Sequence, residues 1–344
     1  MTKYNPGICI WEITLKCNLK CLHCGSSAGV SYSDELTKEE GLQLCRDLAE
    51  IGFKGVALMG GEVFLRKEWY DFSKEIKDLD MSLSIVTNGF WNADYFVPTL
   101  TKLETDCVTV GLDGLEKTHD KIRGVKGAFQ KTVNFLRECK DADIPTNAIT
   151  TVHKINFEEL PKIADLVLEE IGVDWQIQEA IPIGRFDKDL GLSEDEYYSL
   201  GLFISSYQKK YSKERVVGGH NFGFHSSIID NLSFYPSWNG CYAGLSVLGV
   251  KYNGNVLGCL TLPDKYIEGN IRDKSIIEMW NNPECFSYNR NFKSNELGEL
   301  CNSCKYGISC KGGCTSRSVS ITGKPHNDPH CFYRIEQKIQ KNEK

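Results

Sequence analysis

Three cysteines crowd one short stretch, Cys17-Asn-Leu-Lys-Cys21-Leu-His-Cys24, in a C-x3-C-x2-C spacing. A closed zinc site needs four ligands, and His23, adjacent to Cys24, is poorly placed to be the fourth. Three thiolates on one loop suit three corners of a four-iron four-sulfur cube, with one iron open to a non-protein ligand. An open metal position implies chemistry rather than structure. A second group fills the last third: Cys241-x17-Cys259, then Cys301-x2-Cys304-x5-Cys310-x3-Cys314-x16-Cys331. Zinc on Cys301/Cys304 and Cys310/Cys314 would make a small knuckle, but it leaves Cys241, Cys259 and Cys331 without a role. Cys9, Cys45, Cys107, Cys139 and Cys285 stand singly and are expected to be small buried hydrophobes.

The elements that position these groups follow from composition and periodicity. The chain has 344 residues, which allows about two domains. Charged residues at 25% and hydrophobics at 41% are globular values and exclude disorder, collagen and coiled coil. The net charge of −6 argues against a nucleic-acid surface. No apolar run approaches the ~18 residues of a membrane span. Glu12 and Lys16 interrupt the place where a signal peptide would need an apolar core, so a cytoplasmic protein is expected. In a reducing cytosol, 15 cysteines mean metal ligands more often than disulfides.

Residues 7–13, 55–59, 82–86, 107–112, 146–152 and 174–178 read as strands, with helical patterns between them. Thr37 with Glu40 makes a capping box for a helix through Leu44 and Leu48 to a stop at Gly52. After Asn156, Leu160, Ile163, Leu166 and Val167 share one helical face. Six β-then-α units imply a parallel sheet with crossover helices. Six are too few for a closed eight-stranded barrel, so the fold expected is α/β, a partial (β/α)6 barrel. Its chemistry belongs at the C-terminal ends of the strands, where the first cysteine group falls. Ser193 with Glu196 opens a further helix to about Tyr211. Residues 218–227, with His220 and His225, read as linker. Beyond them the chain is rich in Gly, Asn and Cys, with little aliphatic core, and is expected to need metal to fold. The domains expected are a core at 1–215, a linker at 216–238, a cysteine-rich domain at 239–335 and a tail at 336–344.

The Cys17/Cys21/Cys24 triad after a first strand resembles the hallmark of the radical SAM family. The resemblance implies that S-adenosylmethionine (SAM) chelates the open iron through its amino and carboxylate groups. An electron then cleaves it to methionine and a 5′-deoxyadenosyl radical. Met59-Gly60-Gly61-Glu62 follows the second strand; two glycines permit close backbone approach, and a carboxylate can accept bonds from an ammonium. In the family this motif binds the methionyl amine, usually followed by proline where this chain has Val63. Thr87-Asn88-Gly89 resembles the ribose-side contact. Leu112-Asp113-Gly114, His119-Asp120 and Arg123-Gly124 resemble a longer pattern that usually begins with Ser, here Gly111. Arg123 either pairs with the SAM carboxylate as a guanidinium fork or is an exposed structural arginine. His23 holds a position that is often aromatic in the family and touches adenine.

The second cysteine group resembles the SPASM extension of these enzymes. So do Cys310-Lys-Gly-Gly-Cys314, Gly269-Asn270-Ile271, Met279-Trp280 and Asn327-Asp328-Pro329-His330-Cys331. The resemblance implies an outer auxiliary cluster on Cys301, Cys304, Cys310 and Cys331, and an inner one on Cys241, Cys259 and Cys314. No cysteine lies between 140 and 240, so the inner cluster keeps an open iron or borrows Cys285 or a carboxylate. Three four-iron clusters and SAM are thus the cofactors expected, with an external electron donor of flavodoxin or ferredoxin type.

Family members with this extension mostly modify peptides or proteins, by crosslinks, thioethers, epimerisation or side-chain oxidation. A peptide maturase is therefore the leading expectation. Strand one begins near residue 7, so no fused leader-binding domain is expected, and recognition falls to a separate small protein, to residues 181–238, or is not of a leader at all. The stretch from Trp11 to Cys24 also resembles members of alternative heme synthesis, which keeps a small-molecule or porphyrinoid oxidase open. A non-catalytic electron-transfer or zinc-stabilised interaction protein is the reading from another class. Gln178 and Glu179 would face the cavity or merely cap their strand, and Cys9 is either a thiol hydrogen donor or core. No residue is assigned the second hydrogen.

Overall fold

The computed structural model describes residues 4–342 except 220–221, 223–224 and 234–237, so His220 lies outside the described residues. Six strands carry the core: β1 (Ile8–Glu12), β2 (Gly55–Met59), β3 (Ser82–Thr87), β4 (Cys107–Gly111), β5 (Thr146–Val152) and β6 (Asp174–Glu179). Each pairs in parallel with the next. Helices α1 (Lys38–Ile51), α2 (Trp69–Asp78), α3 (Ala93–Lys102), α4 (Glu116–Arg123), α5 (Ala128–Asp141) and α6 (Leu160–Ala164) make the crossovers. Thr37 and Glu40 cap α1 reciprocally, and Gly52 ends it at φ 97°. The face carrying Leu160, Ile163, Leu166 and Val167 is buried, but α6 passes into a π-helical stretch, Asp165–Ile171.

The sheet has ten strands rather than six, in the order β10-β9-β8-β1-β2-β3-β4-β5-β6-β7, and its ends do not meet. β7 (Val216–Gly218) follows helix α7 (Glu194–Tyr211) and lies parallel on β6, within residues expected as linker. β8 (Val247–Val250) lies parallel on β1, and β9 (Asn255–Leu257) and β10 (Gly269–Asn270) continue antiparallel. Strands this short offer too few residues for alternation to show in sequence.

The cysteine-rich third has more apolar core than expected. Beyond α8 (Ile276–Asn281) and α9 (Ser287–Arg290) come α10 (Gly307–Cys310), α11 (Thr315–Thr322) and α12 (Phe332–Asn342). Ile276, Met279, Trp280 and Phe286 join the same core as the barrel, with Trp280 4.9 Å from the Phe53 ring. α12 returns to α7, where Phe332 stacks on Tyr197 at 4.9 Å. Of the solitary cysteines, Cys9, Cys45, Cys139 and Cys285 are buried, whereas Cys107 is only half-buried at the start of β4. Among the described residues no helix is long and apolar enough to cross a membrane.

Candidate active site and cysteine centres

The first cysteine loop leaves the C-terminal end of β1 and is tied down by its backbone. Cys17 N–H donates to Gly29 O at 3.2 Å, and Leu22 N–H donates to Ile122 O of α4 at 2.9 Å. Arg185, after β6, gives its own N–H to Cys24 O, its Nε–H to Cys21 O and its Nη1–H to Ala28 O. Gly184 must be glycine, because a Cβ there would stand 2.3 Å from Cys24 O. Each sulfur faces one donor: Leu19 N–H on Cys17 and Ala28 N–H on Cys24, both 3.4 Å, and Arg123 Nη1–H on Cys21 at 3.6 Å. Burial pushes the Cys17 thiol up to about 11 and raises that of Cys21. Beside a bound metal such sulfurs would ionise, and three thiols with N–H donors are the donor chemistry a four-iron cube takes, although among the described residues no three ligand side chains converge on a single ion.

The turn after β2 brings a carboxylate beside this loop. A Cβ on Gly60, whose φ is 155°, would stand 2.3 Å from Thr14 O, and one on Gly61 would stand 2.3 Å from Lys16 O. Two glycines therefore let the turn press against the chain that leads into Cys17. Glu62 is 1% exposed and accepts from Thr87 Oγ1 at 2.8 Å and from Asn88 N–H at 2.9 Å. Burial raises its carboxyl pKa against those bonds.

Arg123 is buried, not exposed, and its Nη2 lies 2.6 Å from Asp113. His23 puts Nε2 on the same Asp113 oxygen at 2.7 Å. Burial would raise the Asp113 carboxyl, but Arg123 and His23 overcome it and hold the group well below the carboxylate range. Asp113 thus sets both side chains singled out from sequence. Neither Asp113 in that role nor Arg185 was recognised there; the Asp-Gly after β4 and the Gly-Arg after β6 are the signals.

The seven later cysteines sort into two neighbourhoods. Cys241 raises the thiols of both Cys259 and Cys314, after burial, while Cys331 and Cys304 act on Cys301 and Cys331 acts on Cys310. Backbone N–H groups face several of these sulfurs: Gly313 on Cys310, Arg317 on Cys314 and Tyr333 on Cys331. Cys285 lies instead beside Glu268 and Arg290. Tyr288, missed in the sequence, feels Cys241 and Cys259, and its largely buried hydroxyl lies against the Gly258 backbone.

Gln178 donates to Thr151 Oγ1, and Glu179 turns to Arg317 of α11 rather than into open space. Cys9 is fully buried in the core. A cavity of about 630 Å³ lies between the two cysteine regions. Glu12, Gly25 and Ser26 line one side, Ile183 and Gly184 another, and residues 260–265 with Val319 and Ser320 the far wall.

A partial parallel barrel with a three-cysteine loop at the end of β1 defines an iron–sulfur enzyme of the SAM-dependent type. Residues 11–167 match the Radical SAM superfamily, and residues 241–305 match the SPASM iron-sulfur cluster-binding domain. The AdoMet-dependent heme synthase of Methanosarcina barkeri (strain Fusaro / DSM 804) is 30% identical, covering 97% of this chain and 98% of its own. Mycofactocin maturase MftC of Mycolicibacterium smegmatis is 28% identical, covering 94% and 82%. In fold, the chain resembles Streptococcus suis SuiB bound to precursor peptide SuiA, at a TM-score of 0.75 and 17% identity over 97% and 76%. The chain belongs to the radical SAM superfamily and carries a C-terminal SPASM domain. It is a radical SAM enzyme that binds SAM and iron–sulfur clusters.

Proposed function

We propose that this enzyme is a peptide maturase whose substrate segment enters the cavity between the two cysteine regions. Reductive cleavage of SAM at the first cluster supplies a primary carbon radical able to take hydrogen from an unactivated C–H bond. Cys17, Cys21 and Cys24 hold that cluster. Glu62, fixed by Thr87 beside the Gly60-Gly61 turn, would receive the SAM ammonium, and Arg123 and His23, set by Asp113, would border the remaining SAM contacts. Cys241, Cys259 and Cys314 hold the inner auxiliary cluster, and Cys301, Cys304, Cys310 and Cys331 the outer one. The substrate carbon must lie within about 3–3.5 Å of the radical carbon, in a pocket that excludes competing hydrogen donors.

The lining of the cavity carries the choice of substrate. Leu15, Pro182, Ile183, Leu260, Leu262 and Val319 are apolar, while Lys251 and Lys265 are balanced by Glu12 and Asp264. Lys251 is already paired with Asp264 at 2.5 Å. Among the described residues the lining has no surplus of cations to meet the several carboxylates of a tetrapyrrole, whereas a mixed peptide segment suits it. A porphyrinoid substrate is the second reading, favoured by the full-length identity to the heme synthase.

The test is anaerobic incubation of reconstituted enzyme with SAM and dithionite, with either candidate precursor peptides encoded beside the gene or a propionate-bearing tetrapyrrole. A peptide mass change accompanied by 5′-deoxyadenosine supports the first reading; loss of carboxylate from the tetrapyrrole with no peptide change overturns it. Iron and acid-labile sulfide near about twelve each per chain accompany either outcome. Stoichiometric zinc with one cluster's worth of iron would defeat the auxiliary assignment.

A further inference from the structure

The phenol of Tyr288 is left without a task by the proposed reaction, although its surroundings tie it to all three inner cysteines. Asn289, its neighbour on α9, donates Nδ2–H to Ala243 O at 2.8 Å and accepts from Thr315 Oγ1 at 3.0 Å. Ala243 stands two residues after Cys241, and Thr315 directly follows Cys314. Arg290 Nε–H donates to Gly244 O at 2.7 Å, and His326 Nε2 lies 2.6 Å from Tyr288 O. Gly258, next to Cys259, closes the third side. A Cβ there would run into the Tyr288 hydroxyl oxygen and stand 2.8 Å from Gly244 N. The hydroxyl thus reaches the ground between the Cys241 and Cys259 segments, whose thiols both act on it.

The Tyr288 ring lines a second cavity, of about 440 Å³, with Lys265, Glu268, Lys293 and His326, but the oxygen at its tip is sealed from solvent. The Gly258 backbone leans on that oxygen, so the group without a partner among the described residues is the O–H itself. A buried hydroxyl in that state is costly and calls for an acceptor. No cysteine sulfur takes the proton directly. Two of the three already face other donors: Thr261 Oγ1 lies 3.0 Å from Cys259 Sγ, and Arg317 N–H faces Cys314. A four-iron cube on these thiolates brings sulfides of its own, and a sulfide is an acceptor for an O–H that stops short of the ligands.

We infer that the Tyr288 O–H donates to a sulfide of the inner auxiliary cluster and so sets the potential at which that cluster takes up an electron. A hydrogen bond to cluster sulfur favours the reduced, more negative state and raises the reduction potential. Its loss makes electron uptake from a substrate radical less favourable. Acting through the cluster, Tyr288 is a positioning residue rather than a catalytic one. The inference rests on the assignment of Cys241, Cys259 and Cys314 to one cluster, and the experiment separates the two.

The experiment uses the full chain reconstituted with iron and sulfide, as parent, Tyr288→Phe and Cys259→Ala, in an anaerobic redox titration followed by EPR. The signal missing from Cys259→Ala belongs to the inner cluster. In Tyr288→Phe, at parental iron content, that signal titrates about 59 mV lower, a tenfold weaker uptake of one electron, while the others stay in place. In deuterated water, electron–nuclear double resonance of the parent's reduced inner cluster shows a strongly coupled exchangeable deuteron that Tyr288→Phe lacks. Equal potentials in parent and Tyr288→Phe overturn the inference. So does iron lost from a folded Tyr288→Phe, because the phenol would then hold the cluster rather than tune it. A parent with no such deuteron overturns it even where Tyr288→Phe fails to fold. Should Cys259→Ala keep every parental signal, the cysteine assignment fails and takes the inference with it, whereas an unmoved inner signal defeats the inference alone.

Discussion

Glu179, the last residue of β6, meets Arg317 of α11 in a 2.5 Å ion pair with both side chains shut away from solvent. Arg317 also forks onto Asp328 at 2.8 and 2.9 Å, and Asp328 accepts the Cys314 N–H at 2.9 Å. His330, next to Cys331, reaches Glu179 as well. Burial would raise the Glu179 carboxyl, but Arg317 and His330 bring it below its ordinary value. One arginine therefore locks the barrel to the region that carries both later cysteine sets. Replacing it with alanine takes from both buried carboxylates their shared guanidinium, leaving Glu179 to His330 and Asp328 to the N–H groups of Cys314 and His330.

Arg317→Ala is expected to destabilise the chain by about 3–5 kcal/mol. Arg317→Lys keeps the charge but loses the fork, and should recover only part of that loss. Anaerobic thermal unfolding of the reconstituted protein measures both. A melting temperature for Arg317→Ala equal to the parent's would remove the lock from the explanation.

Substituting alanine for Cys17, Cys21 and Cys24 together should abolish 5′-deoxyadenosine formation and lower bound iron by about four per chain. The later cysteines keep theirs. Parent-rate release of 5′-deoxyadenosine by this variant would refute the assignment of the loop.

Glu62→Gln preserves shape and removes a charge that faces the proposed ammonium. SAM binding, measured by equilibrium dialysis, should weaken by about tenfold to a hundredfold, the range of a lost hydrogen bond to a charged group. Gly60→Ala should bind SAM no better, because its Cβ drives into Thr14 O. Unchanged affinity in both would move the SAM site elsewhere.

His119 and His153 make the fold sensitive to acid. Burial, then Arg123, lowers His119 from 6.5 to about 3; burial, then the His23 charge, lowers His153 to about 4. Both folded values lie below the unfolded one, so the unfolded chain takes up more protons as pH falls. Their contribution is complete above about 6.5 and drains away toward the folded values. At a pH one unit under 6.5, each should cost about 1.4 kcal/mol. Denaturant titration at two pH values checks this; a flat response between them refutes it, and His119→Gln should flatten the slope.

Much of the barrel was legible because its pattern is local. Short apolar runs marked the six strands to within a residue or so, and Thr37/Glu40 and Ser193/Glu196 announced their helices by contacts three residues apart. The short strands β7 to β10 were not legible, because a strand of two to four residues is stabilised by its neighbours in the sheet rather than by its own sequence. Arg123 was left between two roles, and only its distance to Asp113 shows it buried and engaged.

Residue type and spacing by themselves determined the chemistry on offer: three thiols within one loop, a Gly-Gly-Glu turn, and seven further cysteines too regular to be packing. Sulfur ligation depends on which atoms are present, and short-range spacing places them wherever the loop goes. Only the tertiary structure decided which distant groups face one another: Asp113 between His23 and Arg123, Arg317 between Glu179 and Asp328, Tyr288 beside Cys241 and Cys259. Those pairings depend on long-range closure of the sheet and on the free energy of burying charge, and neither is written in any window of the chain.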